Sequence, residues 1–147
     1  MLPSRLALLA LALCPLAFAA DPVVNLQPGK YEVILNAEMT MNGAQQTYPG
    51  RPSTRCVTPT QLSDPEQVFN KRFLVNYHPD PSCTRNNFKN SATALSYDED
   101  CNNRSVHLDA SLAGTSYNAV RKVVPKDPRA PQMTYKIIGK RTGDCGK

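Results

Sequence analysis

The stretch SVHLDASL, residues 105–112, decides the fold class of this chain. Its even positions are apolar and its odd positions are polar; the apolar set is Val106, Leu108, Ala110 and Leu112. Successive side chains of a β-strand point to opposite faces, so this alternation is typical of a strand with one buried face. We therefore expect a half-buried strand here.

The same period of two recurs on both sides of this stretch. The odd positions of residues 31–41 read Tyr, Val, Leu, Ala, Met and Met, and the pair Asn42-Gly43 that follows favours a hairpin turn. Residues 45–48 can pair back, although Pro49 and Pro52 limit this return strand to an edge or a break, and residues 55–57 can resume it. Shorter alternations then follow at residues 93–97, 117–120 and 133–139.

One helix is predicted at about residues 65–73, because Asp64 can cap it, Pro65 suits its first turn and Gln67 completes a capping box. The earlier Thr58-Pro59 pair is expected to start a turn. About six or seven strands with short turns indicate a mainly β fold. We expect an antiparallel meander that forms a curved sheet or a small barrel, with one short helix and two disulfides.

The first 19 residues have the anatomy of a secretory signal. Arg5 gives a positive start, a Leu- and Ala-rich run follows, and residues 17–19 supply a small-x-small cleavage site. We expect residues 1–19 to be a cleavable signal peptide and residues 20–147 to form a single β-rich domain. The apolar run is too short for a transmembrane helix. Cys14 is read as part of the discarded signal, so lipid anchoring through it is not expected.

Four cysteines follow the signal, and thiols in an oxidising compartment tend to pair. Cys83 and Cys101 flank a predicted hairpin, which favours their pairing and leaves Cys56 to join Cys145. The other two connectivities stay open at this point. On the chain-entropy model, closing loops of about 18 and 89 residues contributes roughly 3 and 4.5 kcal/mol.

Four motifs stand out across the mature chain. They are PGKYEV at residues 28–33, RCVTP at residues 55–59, the pair Cys83 and Cys101, and GKRTGDC at residues 139–145. Together they resemble a family of bacterial envelope proteins known as domain of unknown function 3617. The resemblance covers essentially the whole mature chain, and its most specific part is the C-terminal motif.

The resemblance implies a periplasmic or otherwise exported location in a Gram-negative cell and no established activity. The chain departs from the family pattern at one aromatic position. Members usually place Trp where this chain has Tyr31, which keeps an aromatic anchor but loses indole area.

No catalytic constellation is evident from the residues. Only His78 and His107 titrate near neutral pH, and His107 shares its strand face with Ser105 and Asp109 in what resembles a triad fragment by composition only. We read this group as structural surface. The acids at residues 98–100 are expected to form a solvated turn, since the pattern of a calcium loop is absent. We expect no enzymatic activity, no catalytic residues, no metal and no cofactor.

Two binding hypotheses follow from the strand pattern. The tyrosines of the apolar faces can line a concavity for a small apolar ligand or envelope component; they are Tyr31, Tyr97, Tyr117 and Tyr135. The same face can instead be a packed core. Alternatively, the chain is a protein-partner module, such as an inhibitor of an envelope-attacking enzyme, with the loop at residues 125–131 as its contact. The net charge of +5 is spread along the chain, so no nucleic-acid partner is expected.

Overall fold

The computed structural model describes residues 24–63 and 81–146 of the chain. The predicted signal peptide with Cys14, the predicted helix at residues 65–73 and His78 lie outside the described residues. All the strand patterns found in the sequence fall inside them.

The described residues form eight strands and one short helix. In chain order these are β1 (Gly29–Met41), β2 (Ala44–Tyr48), β3 (Ser53–Val57), α1 (Pro59–Leu62), β4 (Thr84–Asn90), β5 (Ala94–Asp100), β6 (Arg104–Leu112), β7 (Ser116–Pro125) and β8 (Gln132–Gly143).

All eight strands belong to one antiparallel sheet. Its order is β2-β1-β8-β7-β6-β5-β4, and β3 pairs with β1 on the same edge as β2. The last strand therefore lies beside the first, and β4 through β8 follow one another as a meander. The predicted antiparallel β fold with one short helix and two disulfides is confirmed. The short helix that the structure describes is α1, which lies before the predicted helix at residues 65–73. The sheet is open, so the barrel alternative is not the one adopted.

The hairpin between β1 and β2 forms at the predicted Asn-Gly pair. Asn42 has φ 52° and Gly43 has φ 78°, and Met41 pairs with Ala44 across the turn. Two consecutive positive φ angles match the twist of the flanking strands, and Asn followed by Gly adopts them at low cost. The turn sequence thus fixes which residues of β1 and β2 face each other.

Between β2 and β3 the chain passes very close to β1. The backbone N–H of Gly50 donates to Asn36 Oδ1 at 2.9 Å, and a Cβ at Gly50 would overlap the carbonyl oxygen of Leu35. Pro49 and Pro52 flank this glycine and cannot donate ladder hydrogen bonds. The return strand is therefore split into β2 and β3, as the prolines predicted.

One face of the sheet, here called the inner face, carries the core, and the opposite side is called the outer face. Burial alternates along β6 with the period of its sequence, so that Val106, Leu108 and Leu112 are buried between exposed polar residues. Tyr31 and Val33 of β1 and Ile137 of β8 belong to the same core cluster.

Short segments outside the sheet complete this core. Thr58 caps α1 through a capping box with Gln61, and the helix buries Leu62. The turn expected at Thr58-Pro59 is therefore the start of this helix. Val24 and Leu26 are buried as well, and Leu26 forms an isolated bridge with Gly114.

Candidate binding surface

Tight aromatic packing marks the end of the inner face at the start of β1. The rings of Tyr31 and Tyr117 lie 5.9 Å apart at a tilt of 44°, and a Cβ at Gly139 would overlap the Tyr117 ring. The Tyr31 hydroxyl donates to the carbonyl oxygen of Gln27 at 2.7 Å. Burial raises the pKa of both tyrosines. These rings are part of a close-packed core.

The terminal sequence motifs meet at this same end. Arg141 Nε donates to the carbonyl oxygen of Pro28 at 2.9 Å, and the Arg141 guanidinium also pairs with Asp144. Gly29 has φ +148°, and a Cβ there would lie 2.5 Å from Arg141 Nε and from the Gly143 carbonyl oxygen. We call this region the motif end, and its close contacts require glycine at Gly29 and Gly139.

Both disulfides join the pairs that the sequence favoured. Cys56 of β3 is bonded to Cys145, which follows β8, and this bond secures the C-terminal segment at the motif end. Cys83 is bonded to Cys101 across the β4–β5 hairpin, near the opposite edge of the sheet.

The four tyrosines predicted to face a ligand do not share one environment. Tyr31, Tyr97 and Tyr117 are buried, with 0%, 2% and 1% of their surface exposed, whereas Tyr135 is only half-buried. The packing of the three buried rings needs no ligand to explain it. A ligand-facing role for the set stays a prediction, and Tyr135 is the member with accessible surface.

Tyr135 belongs to the opposite end of the inner face, which is rich in apolar side chains but incompletely covered. Ala37, Met39 and Met133 are half-buried there, and Met41 is 44% exposed. Ala37 pairs with Tyr135 and Met39 with Met133, so these side chains share one face. We call these five residues the methionine end. Arg121 of β7 lies directly opposite Tyr135. From Tyr31 to Met41, β1 spans about 34 Å at the usual rise per residue.

The acids at residues 98–100 are strand residues rather than the solvated turn that we expected. They lie in β5, and Glu99 takes an inner position with 4% exposure. Arg85 Nη2 donates to Glu99 Oε1 at 2.9 Å, and the Arg85 guanidinium lies 4.5 Å from the centre of the Tyr97 ring. A buried carboxylate requires such a partner, and the pairing explains why Glu99 can take an inner position.

His107 lies on the outer face between two carboxylates. Its Nδ1 is 2.6 Å from Asp98 Oδ1 and its Nε2 is 2.7 Å from Asp109 Oδ2. The hydrogen bond to Asp98 is the largest cause that raises the pKa of His107, while Asn87 and His107 lower the pKa of Asp98. The structure thus joins His107 to Asp109, as the sequence allowed, and adds Asp98 from the neighbouring strand.

This arrangement suits an ion cluster better than a catalytic base. An imidazole that donates from both nitrogens is a cation, and it has no lone pair left to accept a proton. The adjoining groove has a volume of about 370 Å³ and is lined by charges of both signs, including Asp100 and Lys122. Ser105 lies in this groove, yet the imidazole hydrogen bonds go to carboxylates.

Within residues 24–63 and 81–146, His, Cys, Asp and Glu form no group of three arranged to hold a metal ion. No helix in that same part of the chain has the length and apolarity needed to cross a bilayer.

The methionine end was not recognised from the sequence as a separate surface. Met39 and Met41 fit the strand period as ordinary core residues do, and Met133 lies 92 residues beyond Met41. The one available signal is compositional: apart from Met1, every methionine of the chain belongs to this end.

Comparison with known proteins identifies the family of the chain. Neither the curated proteins nor the solved structures contain a match. The family model described as protein of unknown function (DUF3617) matches residues 26–145, which include all four cysteines of the two disulfides and every strand described above. The chain therefore belongs to the DUF3617 family.

Proposed function

We propose that this protein is an exported, periplasmic and non-enzymatic binding module, and that the methionine end receives a small apolar ligand or an apolar envelope component. The supporting observation is a contrast within one inner face. Tyr31 and Tyr117 are buried at the motif end, whereas the residues of the methionine end are only half-buried and Met41 is 44% exposed. Two disulfides support the exported location, because such bonds persist mainly in oxidising compartments.

The side chains of the methionine end suit an apolar ligand of variable shape. Methionine is flexible and polarisable, and it adapts to irregular apolar partners better than branched residues do. The half-buried Tyr135 adds a ring beside Met133 on the same strand. An acyl chain or a similar hydrocarbon group is the class of ligand that this combination favours.

Native mass spectrometry of the protein isolated from the periplasm tests this proposal. We expect a copurifying apolar molecule on the wild type and on the control Ile138→Asp, because Ile138 is exposed on the outer face of the same strand. We expect its loss from Met133→Asp. A wild type that carries no apolar molecule, or a Met133→Asp variant that keeps it, would contradict the proposal.

A protein partner is the second candidate, and the edge strand β2 supports it. All five residues of β2 are exposed and none is charged, and among the described strands only β1 pairs with it. Such an edge can accept a strand from another protein. A stoichiometric protein in the same mass spectrum, lost on Gln46→Lys, would favour this candidate. A charged lysine side chain on an edge strand disfavours pairing with a strand of another protein.

A further inference from the structure

Three methionine residues share one small area of the inner face. Met39 of β1 lies directly opposite Met133 of β8, and Met41 follows two residues later on the same side of β1. Directly opposed residues of an antiparallel pair have Cβ atoms about 5 Å apart, and diagonal neighbours lie about 7–8 Å apart. The three side chains are therefore close enough for their sulfurs to approach a common point.

The mobility of these side chains permits that approach. A methionine has three rotatable bonds, and all three residues keep accessible surface, with Met41 the most exposed. The cross-strand neighbours on either side are Gln46, opposite Met39, and Val123, opposite Met133. Neither neighbour supplies a carboxylate, so the donors gathered here are soft sulfurs without a hard anionic ligand.

The disulfides restrict which sulfur atoms can bind a metal. Cys56, Cys83, Cys101 and Cys145 are all oxidised, so no thiolate is available among the described residues. Thioether sulfur does not form disulfides and remains a ligand in an oxidising compartment. Thioethers select soft ions such as Cu(I), whereas hard ions such as Mg²⁺ and Ca²⁺ require oxygen ligands.

We propose that Met39, Met41 and Met133 form a binding site for a soft monovalent cation, Cu(I), at the methionine end. This goes beyond binding of an apolar ligand, since the ion is held by sulfur donation and not by burial of apolar area. The two proposals use the same surface but depend on different properties of its side chains. Leucine in place of methionine preserves the apolar surface and removes the donor.

An anaerobic titration of the disulfide-intact protein with Cu(I), against a chromogenic Cu(I) chelator, tests the proposal. We expect the protein to withdraw a single Cu(I) per chain from the chelator. The ¹³C-methyl signals of Met39, Met41 and Met133 should shift together on addition of Cu(I) or of redox-inert Ag(I). Zn²⁺ should leave the three signals unmoved, because it prefers thiolate, imidazole and carboxylate ligands.

Single leucine variants separate sulfur donation from packing. Each single variant should weaken Cu(I) binding by at least about tenfold; the variants are Met39→Leu, Met41→Leu and Met133→Leu. Removing residues that only support the ligands of a metal already costs about tenfold in affinity, and these variants remove a ligand itself. The outer-face control Ile138→Leu should bind as the wild type does. Circular dichroism checks that each variant folds, and the methyl shifts of the wild type test the site without any substitution.

The outcomes distinguish this site from the apolar-ligand function. If the leucine variants lose Cu(I) and keep the copurifying apolar molecule, both proposals hold. If the chelator retains all the copper, if the methyl signals do not move, or if all three leucine variants bind as tightly as the wild type, the Cu(I) site is overturned. The mass-spectrometric test of Met133→Asp is unaffected by that result.

Discussion

The two ends of the inner face share the same strands but differ in what holds them. At the motif end, Tyr117 packs on Gly139, and Arg141 donates a hydrogen bond to the carbonyl oxygen of Pro28. The Cys56–Cys145 disulfide ties the C-terminal segment to β3. At the methionine end, flexible side chains on β1 and β8 lie opposite each other and keep solvent-accessible surface. One sheet thus combines a rigid end with an adaptable one.

This difference shows that the family motifs and the candidate binding surface are separate features. Within the C-terminal motif, Gly139 is explained by its close approach to Tyr117 and Arg141 by its hydrogen bond to Pro28, so both residues serve the architecture. Measured from Tyr31 along β1, the surface suited to ligands begins about 20 Å away at Ala37 and ends about 34 Å away at Met41. Substitutions at the motif end should therefore change stability first, and substitutions at the methionine end should change binding first.

The largest expected effect comes from removing the clamp at the motif end. The double variant Cys56→Ser, Cys145→Ser should lose roughly 4.5 kcal/mol of unfolding free energy, because an 89-residue loop is released in the unfolded chain. Urea denaturation measures this loss. Amide exchange should also accelerate in residues 139–145.

The hairpin disulfide is the matched control for that experiment. Cys83→Ser, Cys101→Ser releases a loop of only 18 residues and should lose roughly 3 kcal/mol. Exchange in residues 139–145 should stay slow in this variant. Equal acceleration of exchange in both double variants would contradict a local clamp at the motif end.

A single added methyl group at the motif end should have the next largest effect. In Gly139→Ala the new Cβ meets the Tyr117 ring, which is 1% exposed and cannot move outward freely. Overpacking of this kind costs about 1–3 kcal/mol. Thermal denaturation measures it, with Gly146→Ala as the control, because no atom lies within reach of a Cβ there. A Gly139→Ala protein as stable as the control would show that the packing is looser than described.

The smallest effect is expected on the outer face, at His107. Its pKa is raised from 6.5 in the folded protein, so its stabilisation is complete below pH 6.5 and is lost as the pH rises through the raised value. The pKa of Asp98 is lowered from 3.8, so its stabilisation is present above pH 3.8 and is lost as the pH falls through the lowered value.

His107→Gln should therefore reduce the free energy of unfolding most between pH 3.8 and pH 6.5, where both groups are charged. At alkaline pH the variant and the wild type should differ little. Chemical denaturation at several pH values measures the profile. The effect should be small because the groups are exposed to solvent, which weakens ion pairs. A difference between wild type and His107→Gln that grows with rising pH would rule out the assigned direction of the pKa shift.

The strand periods and the turn chemistry made much of this fold predictable. The alternation in β1 and β6 predicted their inner faces, and Asn42-Gly43 predicted the hairpin. β4 carries no apolar alternation, and most of its residues are exposed. Its half-buried Arg85 is held by the carboxylate of Glu99 on the neighbouring strand. The inner position of Glu99 was missed for the same reason: a buried acid can be anticipated only when its arginine partner is known.

The methionine end illustrates the limit of reading one strand at a time. Each methionine fits a core position within its own strand, and nothing in either strand shows that the surface is left partly uncovered. Only the pairing of the first strand with the last brings Met39 opposite Met133. Long-range register therefore decides the candidate site, whereas local pattern decides the fold class.

Oxidation of the folded protein by dilute hydrogen peroxide, read by peptide mass spectrometry, tests most directly whether the methionine end is accessible. We expect sulfoxide to form first at Met41, which is 44% exposed, and then at Met39 and Met133, while circular dichroism stays native. If all three methionines were oxidised only at the rate at which the protein unfolds, the methionine end would not be accessible in the folded protein. That result would also contradict the separation between a rigid end and a binding end.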